Sequence, residues 1–248
     1  MSLILLSVLF ACTACIYAIA GFGGGSTYLA LMALFSVPYQ TMPKVALLCN
    51  MVVVAGGLLH FSRSGLAQFR SLFPFLLSSI PFAYLGGSLA VSKQVFLVLL
   101  SFSLCCAALR MFWTEKNFEQ APVLPQQRLP LSLLLGALIG LLSGIVGIGG
   151  GIFLAPILYV LRWEKPRVIA AQSSLFIFLN SLSGLYGQLQ KGSFTLEWNW
   201  LLPLMFAVFV GGQLGSMMSC SWLKEIKLRY VTAALILFVA ARLMWSLL

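Results

Sequence analysis

The chain contains no aspartate, a single histidine and only five acidic residues among its 248. Charged residues make up 8% of it, whereas a soluble domain carries roughly a quarter to keep its surface wetted. That scarcity excludes a soluble globular enzyme and a disordered protein. The acids present, Glu115, Glu119, Glu164, Glu197 and Glu225, all fall in connecting segments, so no apolar stretch carries a carboxylate near its middle. An intramembrane carboxylate is costly and kept for function; its absence argues against a carboxylate proton relay and against a cationic substrate. His60, at the end of an apolar run, reads as an interfacial residue, and alone it builds no metal site. Cys12 and Cys15 form a C-x-x-C inside an apolar run. Cys49, Cys105, Cys106 and Cys220 also lie in or beside such runs, so all six read as small packing residues. No Lys or Arg precedes the first apolar run, which therefore lacks the positive flank of a signal peptide and reads as a retained helix. No enzyme constellation is visible, and neither a cofactor nor a metal is expected.

What the chain does have is apolar length: 61% hydrophobic residues and a mean hydropathy of +1.03. Apolar runs cover 3–20, 26–37, 45–61, 71–91 and 94–113, then 129–146, 152–161, 168–189, 201–220 and 230–248. Eight of them are near the ~20 residues a helix needs to cross hydrocarbon, while 26–37 and 152–161 are short. The fold class expected is an all-α polytopic membrane protein with about eight long membrane helices. The net charge of +10 comes from bases placed singly or in pairs between the runs, which sets orientation in a bilayer rather than binding nucleic acid. Trp113, Trp163, Trp198, Trp200, Trp222 and Trp245 stand at run ends, as an interfacial aromatic belt requires, and Arg110 and Arg242 are placed to snorkel beside them.

The two halves repeat each other. Gly21-Phe22-Gly23-Gly24-Gly25 answers Gly147-Ile148-Gly149-Gly150-Gly151, and Pro43-Lys44-Val45 answers Pro166-Arg167-Val168. Gly86-Gly87 answers Gly211-Gly212, and Arg110 to Trp113 answers Arg242 to Trp245. The chain thus divides into a first repeat, 1–113, a polar link, 114–128, and a second repeat, 129–248. Repeats of this size in a membrane chain are a carrier signature, with the substrate held where they meet. Each half has three long runs plus a long–short pair hinged at the glycines. If that pair leaves and re-enters one side, the three further crossings invert the second half. Arg63, Arg70, Arg110, Lys116, Arg128, Arg162, Lys165, Arg167, Lys224, Lys227 and Arg229 then share one face, and Lys44, Lys93, Lys191 and Arg242 the other. Positive-inside bias makes the first face, with the 114–128 link, cytoplasmic and puts both termini outside.

The G-x-G-G-G pairs carry the functional reading. A dinucleotide fingerprint would need a β–α–β unit and an acid ~20 residues on, and neither is present. Gly136, Gly140 and Gly144, at four-residue spacing, read as helix packing. Three consecutive glycines instead break a helix and leave backbone N–H groups, with positive dipole potential, at the start of the next. Two such ends would build a cationic backbone pocket with no charged side chain, suited to a small anion. The site residues expected are Gly23, Gly24, Gly25, Ser26, Asn50, Gly149, Gly150, Gly151, Gln172 and Ser173. Asn50 and Ser173 each follow a Pro-basic-Val by the same interval; the plainer role for such intramembrane polar residues, with Ser174, Asn180, Ser88 and Gln213, is interhelical hydrogen bonding.

The paired glycine hinges, Leu154-Ala155-Pro156, Ala170 to Ser174, Asn180 to Gly187, and Lys191-Gly192 together resemble the sulfite exporter TauE/SafE family, also called the 4-toluenesulfonate uptake permeases. The resemblance covers nearly the whole chain and implies about eight membrane helices from a duplicated unit. It also implies export or uptake of sulfite, sulfonates and related anions. The expected protein is a multi-pass inner-membrane carrier of small sulfur-containing or organic anions working by alternating access, with the lipid bilayer and a small anion as partners and a homodimer left open. The alternatives are a carrier of another solute, such as an amino acid or a metal complex, and a non-transporting scaffold or assembly factor.

Overall fold

The computed structural model describes residues 3–19, 21–63, 70–112, 129–161, 163–164, 166–191 and 198–218. In hydrocarbon every backbone polar group must be satisfied within its own segment, so apolar runs of this length fold as helices. The first half comprises α1 (Leu3–Ile19), α2 (Gly25–Leu34), α3 (Met42–Arg63), α4 (Phe73–Ser88) and α5 (Lys93–Phe112), with a 3-10 turn, Arg70–Leu72, before α4. The second comprises α6 (Leu129–Val146), α7 (Gly151–Val160), α8 (Pro166–Leu189) and α9 (Trp198–Met218). The described residues contain no strand. Met42–Leu59, Leu129–Val146, Val168–Leu189 and Trp198–Met217 are long and apolar enough to cross a membrane, whereas α1, α2 and Lys93–Phe102 are shorter apolar helices. The expected run at 230–248 and the link at 114–128 lie outside the described residues.

The halves interlock by exchange. α1 packs on α9 of the other half, and α4 packs on α6 and α8. Small residues permit these close seams. A Cβ on Gly136, Gly140 or Gly144 of α6 would collide with the backbone of Phe75, Ser79 or Ala83 on α4, as the packing reading of that spacing expects. Gly211 and Gly215 of α9 meet the backbone of Ala11 and Cys15 on α1 in the same way. Within each of these seams the residue numbers rise together, so the paired helices run in the same direction. α3 and α8 run oppositely: Leu47 lies against Gly184, while Asn50 and Ser181 meet at Gly149. Lys44 and Lys191, and Lys93 just past α4, therefore come to one end of the bundle. The starts of α4 and α8, with Arg70 and Arg167, form the other.

Large apolar side chains such as Phe206 and Met217 face outward, where a soluble protein would carry charge. Two side chains depart from expectation. Trp163 is no belt residue: it is buried, its ring meets Phe75 edge-on at 5.3 Å, and its Nε1 donates to the Ser71 carbonyl. Cys12 faces outward rather than packing, whereas Cys49 is buried and Cys15 and Cys105 are partly so. Trp198 is exposed as a belt residue should be. The side chains of His60, Cys106 and Arg110 lie outside the described residues, as do Trp113, Cys220, Trp222, Arg242 and Trp245 altogether.

Candidate functional site

Both glycine runs interrupt a helix as expected. α1 stops at Ile19, and the chain turns through Gly21 and Gly24 at φ +78° and +87° before α2 begins at Gly25. α6 stops at Val146, and Gly147, Gly149 and Gly150 hold φ of +87°, +83° and +79° before α7 begins at Gly151. Only glycine takes this region without strain. Gly24 has no spare room either, since a Cβ there would stand 3.0 Å from the Tyr28 ring.

The two breaks meet deep in the bundle. A Cβ on Gly25, the first residue of α2, would lie 2.8 Å from the Ile148 carbonyl oxygen of the second hinge. Asn50 stands beside both, eight residues or about 12 Å into α3. Gly151 opens α7 against Ile177 and the Ser173 carbonyl, about 10 Å into α8. α2 and α7 are thus short helices whose N-terminal ends lie inside the protein.

Each hinge is pinned by the long helix of the other half. Asn50 of α3 is fully buried and donates from Nδ2 to the Ile148 carbonyl at 2.9 Å. Ser174 of α8 donates to the Gly21 carbonyl at 2.7 Å. Asn50 Oδ1 lies against Gly23 and has no hydrogen-bond partner.

A cavity of about 10 Å³, room for roughly one water molecule, opens beneath the first hinge. Gly23, Gly24, Gly25 and Ser26 form its polar wall; Phe22, Ile148, Ile152 and Ile177 form the apolar one. Gly24 caps α2 with no side-chain hydrogen bond, so the first N–H groups of that helix have no partner within it. No lining side chain is charged, which leaves the helix dipole as the local source of positive potential. Tyr17 completes the lining, its hydroxyl 2.8 Å from Thr27 Oγ1 and 3.3 Å from Ser26 Oγ.

The expected site is therefore gathered only in part. Gly23, Gly24, Gly25 and Ser26 line the cavity, and Asn50 stands directly behind it. Gly149, Gly150 and Gly151 do not line it; they pack against Ser181, Phe176 and Ile177. The surroundings of the two hinges differ. α8 carries Phe176 and Ile177 where the matching positions of α3 carry the smaller Val53 and Val54; Phe176 packs on Gly150, and Ile177 packs on Gly151 and also lines the cavity. Ser173 is fully buried, and its hydroxyl has no hydrogen-bond partner. Gln172 faces elsewhere, donating to Ser71 Oγ at 2.8 Å near the start of α4. Tyr17 and Ser181 were not among the expected residues, and Ser174 makes the kind of interhelical hydrogen bond expected of it. The signal for Tyr17 was a hydroxyl one helical turn before Gly21.

Residues 5–243 match the family described as sulfite exporter TauE/SafE. The chain is 30% identical to the probable membrane transporter protein y4hK of Sinorhizobium fredii over 97% of both chains. It is 24% identical to the probable membrane transporter protein YunE of Bacillus subtilis over 87% of this chain and 88% of that one. A probable membrane transporter protein of Haemophilus influenzae is 25% identical over 73% and 69%. No solved structure matches. Apolar helices interrupted in pairs, an uncapped helix end facing a small cavity and a match across nearly the whole length lead to one conclusion: the chain belongs to the sulfite exporter TauE/SafE family and is a membrane transporter.

Proposed function

We propose that the chain carries a small sulfur-containing or organic anion, of the sulfite or sulfonate kind, across the inner membrane by alternating access between two inverted repeats. The observation that carries this reading is the uncapped start of α2 facing a small, partly open cavity with no charged side chain. Backbone N–H groups and the helix dipole there offer an anion what water offered it. Inversion is supported by α3 and α8, equivalent helices of the two halves that run in opposite directions. Sulfite has four heavy atoms and exceeds a space of one water, so loading requires the hinges to part. The Asn50 and Ser174 hydrogen bonds between the halves are the contacts that such a motion strains.

Reconstituted protein should take up labelled sulfite and methanesulfonate, with each anion inhibiting the other and neutral dimethyl sulfone inhibiting neither. Inhibition by the sulfone would favour a carrier of another solute. No uptake of any probe would leave a scaffold.

Two further results are expected. Reporter fusions at Leu248 and near Gln120 should place the C-terminus outside and the link inside, following the eleven-to-four division of the bases. A cytoplasmic C-terminus would overturn the inverted arrangement. Moving one negative charge across 100 mV is worth ~2.3 kcal/mol, so an inside-negative potential alone could sustain roughly a fiftyfold gradient of exported anion. No carboxylate is available in the apolar runs to couple protons instead. Uptake insensitive to a valinomycin-imposed potential would count against electrogenic transport.

A further inference from the structure

The cavity wall holds a phenol that the helix end does not account for. Tyr17 lies on α1 one turn before the first hinge, is only 6% exposed and contributes to the cavity lining. Its hydroxyl stands 2.8 Å from Thr27 Oγ1 and 3.3 Å from Ser26 Oγ, and both of those residues are buried on the first turn of α2. Among the described residues these hydroxyls make no other side-chain hydrogen bond. Three O–H groups carry three protons, and the two hydrogen bonds between them employ two. One proton is left over in a buried place, where an unmade hydrogen bond is costly.

The order of donation decides where that proton sits. If Ser26 donates to Tyr17 and Tyr17 to Thr27, it sits on Thr27, which is not part of the lining. If Thr27 donates to Tyr17 and Tyr17 to Ser26, it sits on Ser26. If Ser26 and Thr27 both donate to Tyr17, it sits on the phenol, in the cavity wall. An anion in the cavity favours the last order. A phenol is more acidic than an aliphatic hydroxyl and gives the stronger bond to negative charge. Two bonds donated to its oxygen polarise its own O–H further. We infer that Tyr17 is a specificity-determining residue of the site, donating its hydroxyl proton to an oxygen of the transported anion while Ser26 and Thr27 donate to it from α2. This rests on the anion-carrier reading above. The ligand so selected is an oxyanion whose oxygens are strong hydrogen-bond acceptors, as those of a sulfonate are; negative charge alone does not satisfy a directed O–H.

The test uses the full chain in phosphatidylcholine vesicles, with labelled methanesulfonate as substrate and perchlorate as competitor. Both are tetrahedral monoanions, but perchlorate is a far weaker hydrogen-bond acceptor. Tyr17→Phe keeps the ring and removes the proton. It should raise half-saturation for methanesulfonate roughly ten- to hundredfold, the scale of one hydrogen bond to a charged group, and change the inhibition constant of perchlorate less than about threefold. Thr27→Val keeps the side-chain shape and removes one bond donated to the phenol, so it should raise methanesulfonate half-saturation about two- to fivefold and also spare perchlorate. Tyr28→Phe is the control. The Tyr28 hydroxyl is buried without a hydrogen-bond partner and lies against Gly24 outside the lining, so its loss should leave both anions unaffected. Equal losses for both anions in Tyr17→Phe would overturn the donor role and make Tyr17 a packing residue. A larger loss of methanesulfonate affinity in Ser26→Ala than in Tyr17→Phe would overturn it too, assigning the spare proton to Ser26. If Tyr17→Phe fails to insert, Thr27→Val decides, and unchanged half-saturation there would overturn the role. Each of these results leaves wild-type uptake and the carrier reading intact, whereas absence of uptake by the wild type would strike both.

Discussion

Uptake by a Gly24→Ala variant is expected to fall at least about a hundredfold while the protein still inserts, since displacing a binding group by an ångström has effects of that order. The cause is local. Gly24 holds φ +87°, where a residue with a Cβ is strained by about 1–2 kcal/mol. The added carbon would also stand 3.0 Å from the Tyr28 ring, which cannot retreat because it is fully buried and stacked on Phe10 at 4.6 Å. The hinge must shift instead, and the N–H groups it presents shift with it. Gly184→Ala is the matched control. It lies inside α8, and the nearest atom to its new carbon is at 3.4 Å, so it should transport as the wild type does. Wild-type uptake by Gly24→Ala would remove the first hinge from the site.

The second large effect is expected of Asn50→Ala. It leaves the Ile148 carbonyl buried without its donor, at about 1–3 kcal/mol, and frees the second hinge from α3. Transport should weaken roughly 5- to 150-fold, the same energy expressed as a ratio. Asn50 stands behind the cavity rather than in its wall, so the loss should fall on the maximal rate as well as on half-saturation. Ser26→Ala, in the wall itself, should act mainly on half-saturation. Ser174→Ala releases the other hinge from α8 and should resemble Asn50→Ala. Ser173→Ala removes a hydroxyl with no hydrogen-bond partner and should be nearly silent. If Asn50→Ala and Ser174→Ala both transport normally, the contacts between the halves are packing alone and the hinges do not move as proposed.

By itself the sequence determined the class, the positions of the described helices and the two breaks. Each of these follows from local physics: hydrocarbon forces helix on long apolar runs, and consecutive glycines cannot sustain one. It also determined that Gly136, Gly140 and Gly144 form a packing stripe, because four-residue spacing puts them on one face. What surrounds each hinge was not legible. The two glycine runs are nearly identical, and what packs on them comes from elsewhere: Phe176 and Ile177, some 26 residues on in the chain, fold back against the second run. The parts of Asn50, Ser174 and Gln172 were hidden for the same reason. Asn50 reaches the Ile148 carbonyl 98 positions away, Ser174 reaches Gly21 across 153, and Gln172 turns instead to Ser71 across 101. A polar side chain in a membrane helix takes whichever partner the crossing helices bring within hydrogen-bond distance. That choice is made by the exchange of helices between the halves, which only the tertiary structure decides.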